Sequence, residues 1–180
     1  MAEITRKEFL LALISGGEHP RLAGIDLSGL DLEQVDLHGV DLTGADLSGC
    51  GLHRANLRGA NFARANLTEA DLSQADLVKA RFPSAILYKA RLDGANLDGA
   101  DLQHALLKGA TAVKARLHEA DLRHCHADDA DFRDAEFKGC NFTGATWVGA
   151  DFRRAILVHV IGGPALEATR DFDGASPHAG

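Results

Sequence analysis

The sequence predicts a solenoid, a chain wound repeatedly around one internal line. The first observation behind this is a period of five. From Leu22 to Leu157 an anchor residue recurs every five positions without a slip, at twenty-eight places: nineteen Leu, six Phe, Trp147, and the two small residues Ala112 and Ala127. The second is the company each anchor keeps. Two residues before it stands a small or modest apolar residue, usually Ala, and Asp or Asn fills the place just before it in sixteen units, as in Ala45-Asp46-Leu47-Ser48-Gly49. A fixed short period of this kind marks a repeat architecture.

Neither regular element tolerates that period. A helix advances about 100° per residue, so anchors five apart would spread over its whole surface. A flat strand alternates faces, so anchors five apart would point to opposite sides. A chain that bends after every unit aims all the anchors inward, and stacked turns then form one apolar column. The slot two before the anchor suits a second, tighter inward position, where bulk would overfill the coil. Gly holds the fifth place in twelve units, for example Gly44, Gly94 and Gly144, where it eases a tight turn. Asp and Asn can hydrogen-bond their own turn backbone, which suits a corner beside water.

These Ala-(Asp/Asn)-Leu-x-x units resemble the pentapeptide-repeat family over about three quarters of the chain. The resemblance implies an all-β fold, a right-handed quadrilateral β-helix with four repeats per coil and about seven coils in all. At roughly 4.8 Å between stacked strands such a rod is about 33 Å long. A twenty-residue coil puts Phe132 over Ala112 and Trp147 over Ala127, so a bulky ring covers each undersized anchor, as dense packing demands.

Three segments follow. Residues 1–19 read as a capping helix and linker, 20–161 as the repeat rod, and 162–180 as a C-terminal tail. A bare solenoid end exposes its core, so it needs a lid. Thr5-Arg6-Lys7-Glu8 has the form of a capping box, with Ile4 and Phe9 as its hydrophobic staple. A helix is expected from about Arg6 to Ile14, ending at Gly16-Gly17, with Phe9, Leu10, Leu13 and Ile14 facing the first coil. That coil carries larger inner residues, Ile25, Leu30, Val35 and Val40. At the far end come the apolar run Ile156 to Ile161, then Gly162-Gly163-Pro164, a short helical turn from Ala165 to Arg170, and a mobile stretch from Asp173 to Gly180. Either this tail covers the last coil or a second molecule does, in a homodimer through the C-terminal end.

Composition narrows the function. The net charge is −7 and the pI about 5.7, which disfavours direct nucleic-acid binding. No stretch of about eighteen apolar residues suggests a membrane span, and Glu3 and Glu8 interrupt any signal-peptide pattern, so a cytoplasmic setting is the default expectation. Cys50, Cys125 and Cys140 occupy the small inward slot on three different walls, which suits core packing and not metal binding or disulfides. No Gly-x-Ser-x-Gly, phosphate loop or His-Glu-x-x-His occurs, and a packed rod has no cleft that excludes water. No catalytic site and no cofactor are expected. Stacked carboxylates such as Asp101 and Asp121 read as corner and solubility residues, their mutual repulsion screened by solvent.

Two surface features stand out. His104 and His124 share one outward slot on neighbouring coils, with His126 round the corner near Asp128 and Asp129; such a group holds zinc only if its ligands converge. The slot before the anchor, normally Asp or Asn, holds Ile86 and, one coil later, Leu106. With Tyr88, and with Lys89 and Lys108 at its flanks, this makes an apolar patch suited to protein contact. The expectation is a non-enzymatic interaction or scaffold module. The family includes proteins thought to imitate DNA and shield type II topoisomerases, and that is the alternative, with surface metal binding as a third. No wall carries a strong acidic stripe, and the register has no interrupting loop, both of which weigh against the mimic.

Overall fold

The computed structural model describes Thr5, Glu8, Phe9, residues 22–162 and residues 176–178. The chain is a β-helix. In each unit the residue before the anchor forms a parallel bridge with the residue twenty positions on, from Asp26↔Asp46 to Asn141↔Ile161. Twenty residues are four units, so each coil has four sides and every anchor lies over the one four units earlier. Three short strands extend the bridging: β1 (Glu136–Lys138), β2 (Ile156–Val158) and β3 (Ser176–His178), parallel and in the order β1-β2-β3.

Two sets of backbone hydrogen bonds build the coil. Along the stack, the anchor N–H donates to a carbonyl in the next coil, as from Leu67 to Ile86 at 2.7 Å. Around the coil, the anchor carbonyl accepts from the amide three residues on in all but the Phe137 and Leu157 units, as Leu42 does from Ala45 at 3.0 Å. That second bond closes a four-residue turn whose third residue has positive φ, the geometry of a type II turn. Every fifth residue from Gly24 to His159 adopts it, and sixteen of them are not Gly, among them Gln34, Lys79 and His104. Glycine therefore does not mark the turn; the turn is imposed at every corner. A side chain there costs about 1 kcal/mol, and the stacked bonds on both sides outweigh it. Gly is required where space is short. A Cβ at Gly162 would meet the Thr143 backbone at 2.8 Å, whereas one at Gly144 would meet only the His124 side chain, which can turn aside.

The core is the predicted column. Every anchor from Leu27 to Leu157 is buried, as are nearly all the small residues two places before them. Phe62 and Phe82 stack one coil apart with ring centroids 4.8 Å apart and planes 4° from parallel. Near the C-terminal end Leu gives way to rings: Phe132, Phe137, Phe142, Trp147 and Phe152 pack mainly edge to face, Phe142 against Trp147 at 5.0 Å. The bridges Thr111↔Asp131 and His126↔Thr146 set Phe132 over Ala112 and Trp147 over Ala127, all four buried. Filling the gap has a cost: the buried Trp147 Nε1–H has no acceptor among the described residues.

At the N-terminal side the Thr5 amide donates to the Glu8 carboxylate at 2.8 Å, and the Glu8 amide donates to Thr5 Oγ1 at 3.3 Å. This is the reciprocal pair of a capping box. Phe9 is fully buried in the same core cluster as Leu27 and Leu32. The remainder of the expected helix, and its ending at Gly16-Gly17, lie outside the described residues. So does the expected helical turn from Ala165 to Arg170. The tail departs from expectation at one place: within the stretch from Asp173 to Gly180, read as mobile, Ser176–His178 is a strand paired with Ile156–Val158.

Candidate interaction surface

The outward slots are governed by one local device. An Asp or Asn before the anchor turns its Oδ1 back to accept from the amide two residues on, as Asp41 does from Thr43 (3.1 Å) and Asp121 from Arg123 (3.1 Å). Asn adds a rung between coils, since Asn56 and Asn61 donate through Nδ2 to the carboxylates of Asp36 and Asp41 below (2.9 and 3.2 Å). These side chains are thus committed to corners.

The same holds for much of the charge. Arg123, Arg133 and Arg153 fold back two residues onto Asp121, Asp131 and Asp151 at 2.6 to 2.7 Å. Arg116 and Arg154 reach the coil below, to Asp98 and Asp134. The stacking of Asp121 over Asp101 does not raise the Asp121 carboxyl. Partial burial pushes its carboxyl up, but the hydrogen bonds from the Arg123 side chain and amide outweigh this and hold it below the ordinary value. Asp98 and Asp151 follow the same balance, with burial opposed by Arg116 and by Arg153 respectively. Because these folded-state values are depressed, their stabilisation is fully present above about pH 4 and is lost as the pH falls through and below that value. Thermal melts are therefore expected to show a plateau from pH 5 to 7 and a steep fall below pH 4. A melting temperature unchanged at pH 3 would contradict the assignment.

Against this background the apolar patch is an exception. Ile86 and Leu106 occupy bridged positions on adjacent coils, 37% and 41% exposed, with Tyr88 at 38%. Neither can offer the corner oxygen that Asp or Asn supplies. Lys89 Nζ lies 5.1 Å from the Tyr88 ring centroid, a cation–π contact. One exposed residue escaped the sequence reading: Val148, 65% exposed, on the same wall and in the Tyr88 column, with Lys108 and Asp128 between them. Its unit, Ala-Thr-Trp-Val-Gly, gave the signal, because the place after an anchor lies on the outer side of the coil.

The histidines do not converge. The His104 and His124 rings stack at 5.0 Å with planes 9° apart, and His126 Nδ1 lies 3.3 Å from Thr146 Oγ1. Among the described residues no three His, Cys, Asp or Glu side chains are placed to hold a metal ion. His53, Ser73 and Asp71 do meet: His53 Nδ1 is 2.8 Å from Ser73 Oγ, which also bonds Asp71. Here Ser lies between the imidazole and the carboxylate, so Asp71 does not orient the base as in a hydrolytic triad, and Ser73 is itself buried. The trio ties two coils together. The three cysteines are fully buried, burial pushes each thiol up to about 12, and Cys140 donates to the Leu117 carbonyl at 2.7 Å. They are core residues.

The family model for pentapeptide repeats matches overlapping segments that together run from residue 21 to residue 161. The chain belongs to the pentapeptide-repeat family. Its structure is similar to that of HetL, a pentapeptide-repeat protein involved in heterocyst differentiation regulation in the cyanobacterium Nostoc. The two are 22% identical over 96% of this chain and 99% of HetL, with a TM-score of 0.54. It is similar also to a trypsin-treated form of QnrB1, a plasmid-mediated fluoroquinolone resistance protein, at 20% identity over 88% of each chain and a TM-score of 0.51. At these identities the likeness is one of fold. No curated protein matches the sequence. Among the described residues no helix is long and apolar enough to cross a membrane.

Proposed function

We propose that this pentapeptide-repeat rod, right-handed, four-sided and about seven coils long under an N-terminal helical lid, is a non-enzymatic protein-interaction module. Its contact surface is the wall bearing Ile86, Tyr88 and Leu106. The observation that carries this reading is the replacement of the corner Asp or Asn by bulky apolar residues on two adjacent coils, left open to solvent. A rigid β wall presents such a patch with little ordering cost on binding. Lys89 and Lys108 flank the patch, with Glu69 one coil before Lys89 and Asp128 one coil after Lys108, so the matching partner surface is apolar with flanking charges of both signs. Three unpaired buried thiols fit a reducing, cytoplasmic setting.

The test is a double substitution, Ile86→Asp with Leu106→Asp. Both side chains face outward, so the melting temperature should hold within a few degrees. Two buried aliphatic contacts at about 1.5–3 kcal/mol each would weaken partner binding by roughly a hundredfold or more. Binding retained by the folded double variant would remove the patch from the mechanism.

A second reading rests on the net charge: a DNA mimic that shields a type II topoisomerase. A gyrase supercoiling assay with and without a quinolone separates the two. Protection of supercoiling that survives the double substitution would favour the mimic, and no effect at micromolar protein discards it.

A further inference from the structure

The C-terminal end carries more than the repeat pattern alone reveals. β3 pairs with β2 in the register Ile156↔Ser176, Leu157↔Pro177 and Val158↔His178, the same twenty-residue offset as every other bridge. Counted in phase from Leu157, Pro177 stands in an anchor slot. The sequence around it recovers parts of the unit, with Asp171-Phe172-Asp173-Gly174 followed by Ala175 two places before Pro177.

An anchor's amide has a fixed task in this rod. It donates to the carbonyl nineteen residues on, in the coil stacked next: Leu22 to Asp41 at 2.8 Å, Leu107 to His126 at 2.7 Å, Phe142 to Ile161 at 2.7 Å. Proline has no N–H to give. At any anchor inside the stack it would delete a rung, and none of the twenty-eight anchors is Pro. At position 177 the missing N–H is the one that would face outward, toward whatever came next. A β edge with free donors is a template for another chain, and Pro is one of the devices that blunt such an edge.

We infer that Ser176–His178 is the rod's own end plate and that Pro177 terminates the stack against strand addition by a second copy of this chain. The tail and a second copy would compete for one edge, that of Ile156–Val158. The tail holds it because its pairing is intramolecular, at an effective concentration in the millimolar range. End-to-end growth through β pairing is then doubly suppressed: the edge is occupied, and its outer face lacks the donor a next coil needs.

The experiment uses the full chain. Sedimentation velocity compares wild type with Pro177→Val, which restores the N–H and favours strand. Wild type is expected to show no association through this end, and Pro177→Val to self-associate at least tenfold more tightly. Equal association of the two proteins, whether both monomeric or both dimeric, overturns the terminator role. Hydrogen exchange at the Leu157 amide tests the plate itself. By the register this amide faces the Ser176 carbonyl, and it should be protected in wild type. In Ser176→Pro, which removes the amide aimed at Ala155, it should exchange at least tenfold faster, while Leu97 in mid-rod is unaffected. A Leu157 amide equally exposed in both proteins overturns the plate. Neither readout involves the Ile86 patch, so this inference and the proposed function stand or fall separately.

Discussion

Replacing Leu97 by Asp is expected to abolish the cooperative melt of the rod. Leu97 is 1% exposed, near the middle of a column in which Leu77 lies one coil before it and Leu117 one coil after. Its amide donates to the Arg116 carbonyl at 2.7 Å, so the backbone cannot move aside without giving up that rung. The substitution loses roughly 2 kcal/mol of apolar transfer and places a carboxylate where no donor reaches it, at a cost of several kcal/mol more. The sum approaches the total stability of an ordinary domain, about 5–15 kcal/mol. The loss is also not confined to one coil. Each coil of a solenoid is held only by its neighbours, so a broken coil leaves two shorter stacks with two new uncapped faces. Circular dichroism melts should show a fall of more than about 10 °C, or no cooperative transition. A melting temperature within a few degrees of wild type would mean that Leu97 does not point inward, and the column with it.

Much of this column was legible in the sequence because one constraint repeats twenty-eight times. Inward anchors, small companions and Asx corners each follow from a single spacing. What escaped notice falls where the spacing says nothing. Lys79 and His104 adopt positive φ like any Gly in the fifth place, because the stacked bonds set the turn and the side chain merely endures it. The sequence shows Asp101 and Asp121 stacked as like charges, but not Arg123 curling back two residues onto Asp121. The strand in the tail is hidden for a related reason. Gly162 and Glu167 stand where anchors belong, so the periodic signal fades before Asp171-Phe172 and Pro177 resume its phase. The outward patch was legible in identity, since Ile86 and Leu106 break the Asp/Asn rule. The stack of His104 on His124 followed from their twenty-residue spacing, and the stacked geometry keeps the two imidazoles from closing on a shared ligand point.

The pairing of small and large anchors gives the second large expected effect. Phe132 touches Phe137, Trp147 and Phe152 and lies over Ala112. Phe132→Ala should cost about 3–5 kcal/mol, because two small residues would then be stacked and a void would open under the aromatic coil. The sharper test is a cycle. Ala112→Leu alone inserts volume beneath a ring that already fills the space, an overpacking cost of about 1–3 kcal/mol. Phe132→Leu alone leaves a gap above Ala112. Combined, the two Leu side chains rebuild the plain Leu-on-Leu stack found at Leu77 and Leu97, so the double variant should be more stable than the two single losses added together predict. The expected coupling is about 1–2 kcal/mol in favour of the pair, read from urea unfolding of the four proteins. Strict additivity would show that residues 112 and 132 do not share a column, since side chains without a common boundary have no means of compensating each other's volume.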